Sequence, residues 1–562
     1  MPHIYKSSIQ TCLGPFFILI VLIIGLGASP LQAQSLVKDI WPGLGGGAHH
    51  GTSTEFINID GTLFFPGDDG STGIELWKSD GTPGGTTLVK DIWPGSGDSN
   101  PTELTNVGGT LFFRAFGSSS GGELWTSDGT PGGTTLVKDI WPGGTSYPTE
   151  LTNVNGTLFF IANDGSTGNE LWTSDGTPGG TVLVKDINPG SGSSFPLFIP
   201  PSTKLINVGG TLFFPADDGS TGTELWTSDG TSSGTTLVKD INSGSGNSSP
   251  EVLTDVGGTL FFAAENGSTG HELWTSDGTS SGTALVKDIW PGPTPSFLDW
   301  LTNVGGTLFF SASDGSIGNE LWTSDGTPSG TIPVEDINSG SADSAPSRLT
   351  NVGGTLFFNA DDGSNGHELW KSDGTSGGTL LVKNISFSMS SNPVELTDVD
   401  GTLFFSARGG SGPIGRELWT SDGTESGTVL VKDINPGLDD SDPRELINVN
   451  GTLFFAADDG STGDELWTFD GGSGAPAPIA SDEQTISEDG LVSFAGTGIS
   501  INFVGTSGSG SVLVEKYDEA PDGTNGISES HIAPYSFVIE ADAGLTFGPE
   551  TEIRIDLSTL SP

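Results

Sequence analysis

The chain has 562 residues, 88 of them Gly and 34 Pro, and only 16% are charged. Scarce helix formers and abundant Thr, Val, Ile and Phe point to an all-β protein rich in turns. Its 70 acidic residues against 19 basic ones leave a net charge of −51, which repels nucleic acid and anionic membranes and favours cations.

Residues 1–33 read as a signal peptide. Lys6 supplies positive charge, Pro15 to Ala28 is an apolar run too short to span a bilayer, and Leu31-Gln32-Ala33 offers a small residue before a cut at Gln34. The only cysteine, Cys12, lies ahead of that run, so the exported chain would hold no disulfide, thiolate metal site or thiol nucleophile. The expected location is secreted or cell-surface, with no membrane span after cleavage.

Residues 34–472 are a repeat. GTLFF starts at Gly61, Gly109, Gly156, Gly210, Gly258, Gly306, Gly354, Gly401 and Gly451, a period near 48. Each unit contains four strand-like runs, as in ELTNV, TLFF, ELWTSD and LVKDI between Glu103 and Ile140. The first turn is Gly108-Gly109, or Asp60-Gly61, Asn155-Gly156, Asp400-Gly401 and Asn450-Gly451 elsewhere, pairs that favour a type I′ hairpin. Leu63 and Phe65 point to one face of the strand and Phe64 to the other, so each sheet needs cover on both sides. Sheets stacked around an axis provide it. LVKDI at Leu36–Ile40 is a spare fourth strand, whereas the last unit, with ELW at Glu465, lacks one. The prediction is a nine-bladed β-propeller of four-stranded antiparallel blades, closed when the N-terminal strand completes the last blade.

Residues 473–484 read as a Gly/Ala/Pro/Ser linker. In 485–562, LVSFAG, GISINFVG, SVLVEKYD, YSFVIEAD and EIRIDL predict a small C-terminal β-sandwich.

ELWxxDGT stands complete from Glu75, Glu123, Glu170, Glu224, Glu272, Glu320, Glu368 and Glu417, and becomes ELWTFDGG at Glu465. In this the chain resembles the bacterial ELWxxDGT-repeat proteins. The resemblance implies export and a Gly-rich repeat, and implies no defined activity or catalytic residues. Kelch and Asp-box propellers, with a Trp packed between blades, are an analogy.

Within each unit Glu and Lys stand 15 residues apart, as in Glu75 and Lys90. This spacing predicts an ion pair across the third and fourth strands, with Lys38 opposite Glu465 at the closing blade. Glu320 meets Glu335 instead, so that blade should lack the pair. The turn before ELW carries Asp68-Asp69, Asp217-Asp218, Asp361-Asp362 and Asp458-Asp459. DDGSTG offers carboxylate, hydroxyl and carbonyl oxygens that suit calcium. The plainer reading is a turn in which Asp caps its own backbone, as for the SDGT aspartates Asp80, Asp128, Asp175 and Asp229. The nine ELW tryptophans read as inter-blade core. Trp41, Trp93, Trp141 and Trp290, at the start of the links, read as packing or as a sugar-binding rim. The six His show no zinc spacing, and no GxSxG or phosphate-loop motif occurs. The expected function is a non-enzymatic scaffold binding an extracellular protein or glycan, with calcium as the cofactor to test. A polysaccharide-active enzyme and a structural surface-layer component are the alternatives.

Overall fold

The TLFF strands sit at the centre of the packing because neither face can meet water. Leu63 and Phe65 are fully buried and Phe64 is nearly so, and the pattern repeats at every unit. The computed structural model describes residues 35–470, except residues 44, 49–55, 196–204, 387–389 and 410–413, and isolated strands between 480 and 556.

Nine antiparallel four-stranded sheets form, eight of them in plain sequence order. The ninth is built from Arg444–Val449, Thr452–Asp458 and Asp464–Asp470, with Ser35–Lys38 as its outer strand. Ser35 lies opposite Thr468 and Leu36 opposite Trp467. The propeller is therefore closed by the N-terminal strand, as the repeat arithmetic requires. The first strand of each blade touches that of the next, and Ile57–Ile59 of blade 1 touches Arg444–Val449 of blade 9. The first hairpin turns have the type I′ signature: Asp60 and Gly61 have φ of 50° and 83°, and Gly108 and Gly109 have 61° and 86°.

The seams hold their own cores. Between blades 1 and 2, Phe64, Leu76 and Val89 pack against Leu111, Phe113 and Trp125. The closing seam does the same with Val37, Ile40 and Phe454 against Leu63, Phe65 and Trp77. The ELW tryptophans are thus inter-blade core, as expected. Burying one such aromatic or aliphatic side chain contributes roughly 1.5–3 kcal/mol.

In this geometry the Glu–Lys pair does not form. The fourth strand bulges at Val89, opposite the step from Leu76 to Trp77, which places Lys90 opposite Leu76. Lys90 then points into the next blade, where Nζ donates to Thr134 O at 2.6 Å and lies over the Trp125 ring. Lys38 behaves alike: it faces Leu466 rather than Glu465, donates to Thr86 O at 2.8 Å and covers Trp77. The lysines fasten neighbouring blades instead of strands within one blade. Glu335 replaces this clasp in blade 6, so the seam to blade 7 and Trp370 goes without it.

The N-terminal segment 1–33 and the linker 473–484, apart from strand residues 480–484, lie outside the described residues. Strands between 480 and 556 form two three-stranded sheets and a two-stranded ribbon, all antiparallel. The layer arrangement expected for a sandwich lies outside what is described. No helix among the described residues is long and apolar enough to cross a membrane.

Candidate functional site

Two faces follow from the meander. One carries the type I′ turns and the SDGT turns. The other carries the turns between second and third strands, overlaid by the links between blades. Ser99 of one link shows how these are knitted: its N–H donates to Ile74 O of blade 1, and its carbonyl accepts from Phe116 N of blade 2.

The repeated Glu anchors that link. Glu75 is fully buried. It accepts from Ile92 N at 2.9 Å, Trp93 N at 3.1 Å and Ser99 Oγ at 2.6 Å. Glu224 accepts from Ile241 N, Asn242 N, Ser248 N and Ser248 Oγ. At the ring closure Glu465 accepts from Ile40, Trp41 and Gly47 N–H groups at 3.0–3.3 Å. A carboxylate is suited to this place because it is an acceptor only and its neighbours are donors. Reading the Glu as structural was right, but its partner was not. The signal lay in the sequence: a Ser recurs 23 or 24 residues after each Glu from Glu75 to Glu417, as Ser99, Ser146, Ser194 and Ser248 do.

Burial pushes these carboxyls up despite the donors, with the nearby Asp of the KDI run adding repulsion in several blades. Glu417 rises to about 6, Glu75, Glu170, Glu272 and Glu320 to about 7, and Glu465 to about 8, from an ordinary 4.5. A raised folded value means that the native state holds the proton more tightly than the unfolded chain does. This contribution is complete below about pH 4.5 and is lost as pH rises through 6 to 8. Self-repulsion of a chain at −51 has the same sign. The melting midpoint is expected to be higher at pH 5 than at pH 8 by calorimetry at high salt, where long-range repulsion is screened. Equal midpoints there would exclude the buried carboxyls as the cause.

The aspartates proposed for calcium are each tied into their own turn. Asp68 Oδ1 accepts from Gly70 N at 2.7 Å. Asp69 Oδ1 accepts from Ser71 N and Oγ and from Thr72 N and Oγ1, all within 2.7–3.0 Å. Asp217 and Asp218, Asp361 and Asp362, and Asp458 and Asp459 repeat the arrangement, with Asn365 replacing Thr in blade 7. Partial burial works to raise Asp69, but the Ser71 and Thr72 bonds outweigh it and hold the carboxyl below its ordinary value. Among the described residues no three His, Cys, Asp or Glu side chains gather so as to hold a metal. The SDGT aspartates are turn formers too: Asp80 Oδ1 accepts from Thr82 N and Oγ1.

What the repeat does not consume is on the link face. Trp41 and Trp141 lie against the glycine turn of the next blade, where a Cβ at Gly70 or Gly165 would approach the indole to 2.4–2.5 Å. Asn188, Asn242, Asn338 and Asn435 fill the same place in other blades. Trp93 and Trp141 remain over a third exposed, Tyr147 is 53% exposed and Phe297 58%. Tyr147 stacks under the Arg114 guanidinium at 4.2 Å.

No family model matches the chain, and no curated protein matches it. Among solved structures, a puromycin hydrolase is 14% identical over 68% of this chain and 62% of its own length, at a TM-score of 0.30. A GH74 enzyme of Niastella koreensis is 13% identical, covering 90% and 74%, at 0.32. A puromycin-hydrolysing peptidase of Mycobacterium tuberculosis is 10% identical, covering 77% and 61%, at 0.34. Likeness this distant carries no argument about activity. The propeller stands on the sheet topology, and the ELWxxDGT resemblance remains one of motifs.

A further signal is visible only with the strands in register. The first strands bulge, and the bulged residue has positive φ in seven blades: Glu103, Glu150, Val252, Trp300, Arg348, Glu395 and Glu445, at 49–60°. One structural position therefore carries acid in four blades and Val, Trp or Arg in three consecutive ones.

Proposed function

We propose that this chain is an exported, non-catalytic binding platform, presenting the link face of the propeller to a glycan or protein outside the cell. The observation that carries this reading is where the chemistry sits. The repeated Glu, Lys and Asp side chains are engaged in fastening links, blades and turns, whereas the exposed aromatics stand at positions that differ from blade to blade on one face. Aromatic rings exposed beside polar groups are the usual anchors of a binding surface. The apolar run at Pro15–Ala28 supports export, and calcium bound at the DDGSTG turns would add rigidity to that face.

The test pairs a glycan array with a reducing-end assay on the same polysaccharides, each run with calcium and with chelator. The platform reading expects retained ligand and no new reducing ends. Release of reducing ends would establish the rival reading of a polysaccharide-active enzyme.

A further inference from the structure

The link face is not uniform. Between the links entering and leaving blade 6 lies an open groove of about 780 Å³, within the size range of small-molecule and oligosaccharide sites. Trp290, Phe297 and Trp300 line it together with Asp299, Asp343 and His367. The Trp290 indole rests on the Gly315 turn, where a Cβ would come within 2.5 Å of the ring. Phe297 meets Trp290 edge-on with centroids 6.2 Å apart, and its own ring is 58% exposed.

Of these three aromatics Trp300 belongs to this blade alone among the described blades, and Phe297 has one aromatic counterpart, Tyr147. At the place of Phe297 the other described blades carry Asn100, Tyr147, Ser249, Ala345, Asn392 and Asp442, all at positive φ. At the place of Trp300 they carry Glu, Val or Arg. Phe297 and Trp300 hold φ of 55° and 56°, a region that bulky side chains rarely occupy. The fold requires the backbone shape but not the aromatic rings, since small and polar residues serve elsewhere. Trp300 packs on the seam core and under the Arg348 guanidinium at 5.0 Å, whereas the Phe297 ring holds the same backbone shape while standing largely in solvent, and that points to a ligand.

The chemistry of the groove narrows the ligand. Ring faces at fixed angles attract flat C–H surfaces. Asp343 is exposed beside them, with Oδ1 accepting from Asn319 N at 2.8 Å, and Asp299 is exposed on the same groove. Carboxylates accept strongly from hydroxyls. They and the net charge of −51 oppose an anionic ligand. Building on the platform reading above, we infer that this groove binds a neutral polysaccharide whose pyranose rings present flat, equatorially substituted faces, with Trp290 and Phe297 as stacking surfaces, Trp300 as a wall of the groove, and Asp299 and Asp343 as hydroxyl acceptors.

The test substitutes residues that the repeat itself tolerates at these places. Trp290→Asn copies blades such as that entered at Asn242, and Phe297→Asn copies Asn100. Titration calorimetry of the full chain with cellohexaose and mannohexaose is expected to show binding that the double variant weakens at least about fivefold, as the loss of two aromatic contacts would. Polygalacturonate is expected not to bind. Equal affinity of parent and double variant for a neutral hexaose would overturn the groove while leaving the platform reading intact. A parent chain that retains neither a neutral glycan nor any other arrayed ligand would overturn both. A melting midpoint matching the parent's shows that the double variant is folded. Should it melt early, Phe297→Asn alone carries the test, because that ring is largely in solvent.

Discussion

Deleting Ser35–Trp41 from the exported chain is expected to lower the melting midpoint steeply and to expand the particle in solution scattering. The segment is short, yet three kinds of interaction end with it. Val37 and Ile40 are almost wholly buried in the closing seam, a loss of roughly 1.5–3 kcal/mol each. Glu465, fully buried, loses the Ile40 and Trp41 N–H donors, leaving buried carboxyl oxygens with the Gly47 N–H as their remaining partner. The Lys38 clasp on Thr86 and Trp77 goes as well. The edge of Asp464–Asp470 is then bare, and an unpaired strand edge invites association between molecules. A midpoint and radius unchanged by the deletion would mean that the ring does not depend on its closure.

The second large effect concerns a single carboxylate inside one blade. Glu224→Ala leaves the Ile241 and Asn242 N–H groups without their acceptor, while the Ser248 N–H and hydroxyl keep only Thr223 O. Each buried donor left unmet costs about 1–3 kcal/mol, so a loss on the order of 4 kcal/mol is expected from urea unfolding. Glu224→Gln retains one acceptor oxygen and should fall between parent and Ala. Asp229→Ala, which removes only the exposed closure of an SDGT turn, should change the urea midpoint far less. If the two alanine variants prove equal, the buried Glu is not what fixes the link to the blade.

Both predictions rest on contacts that the spacing of residues did not disclose. Glu75 and Lys90 are 15 apart and look like partners across a hairpin, but the bulge at Val89 turns the two side chains to different tasks. Glu75 binds a link that returns 17 to 24 residues later, and Lys90 binds a carbonyl 44 residues on. No motif or spacing singles out Phe297 and Trp300, which lie in a link and a first strand. Their meeting with Trp290 needs the link to fold back over blade 6.

By itself the sequence determined the period, the four strands of each unit, the type I′ turns and the closing of the ring by Leu36–Ile40. These depend on local rules: alternation along a strand, turn residues with positive φ, and a motif missing at one end and spare at the other. Only the tertiary structure decided which acid meets which donor, where the lysines reach and which aromatics share a groove. Such contacts cross from one repeat to the next, and a bulge of one residue is enough to redirect them.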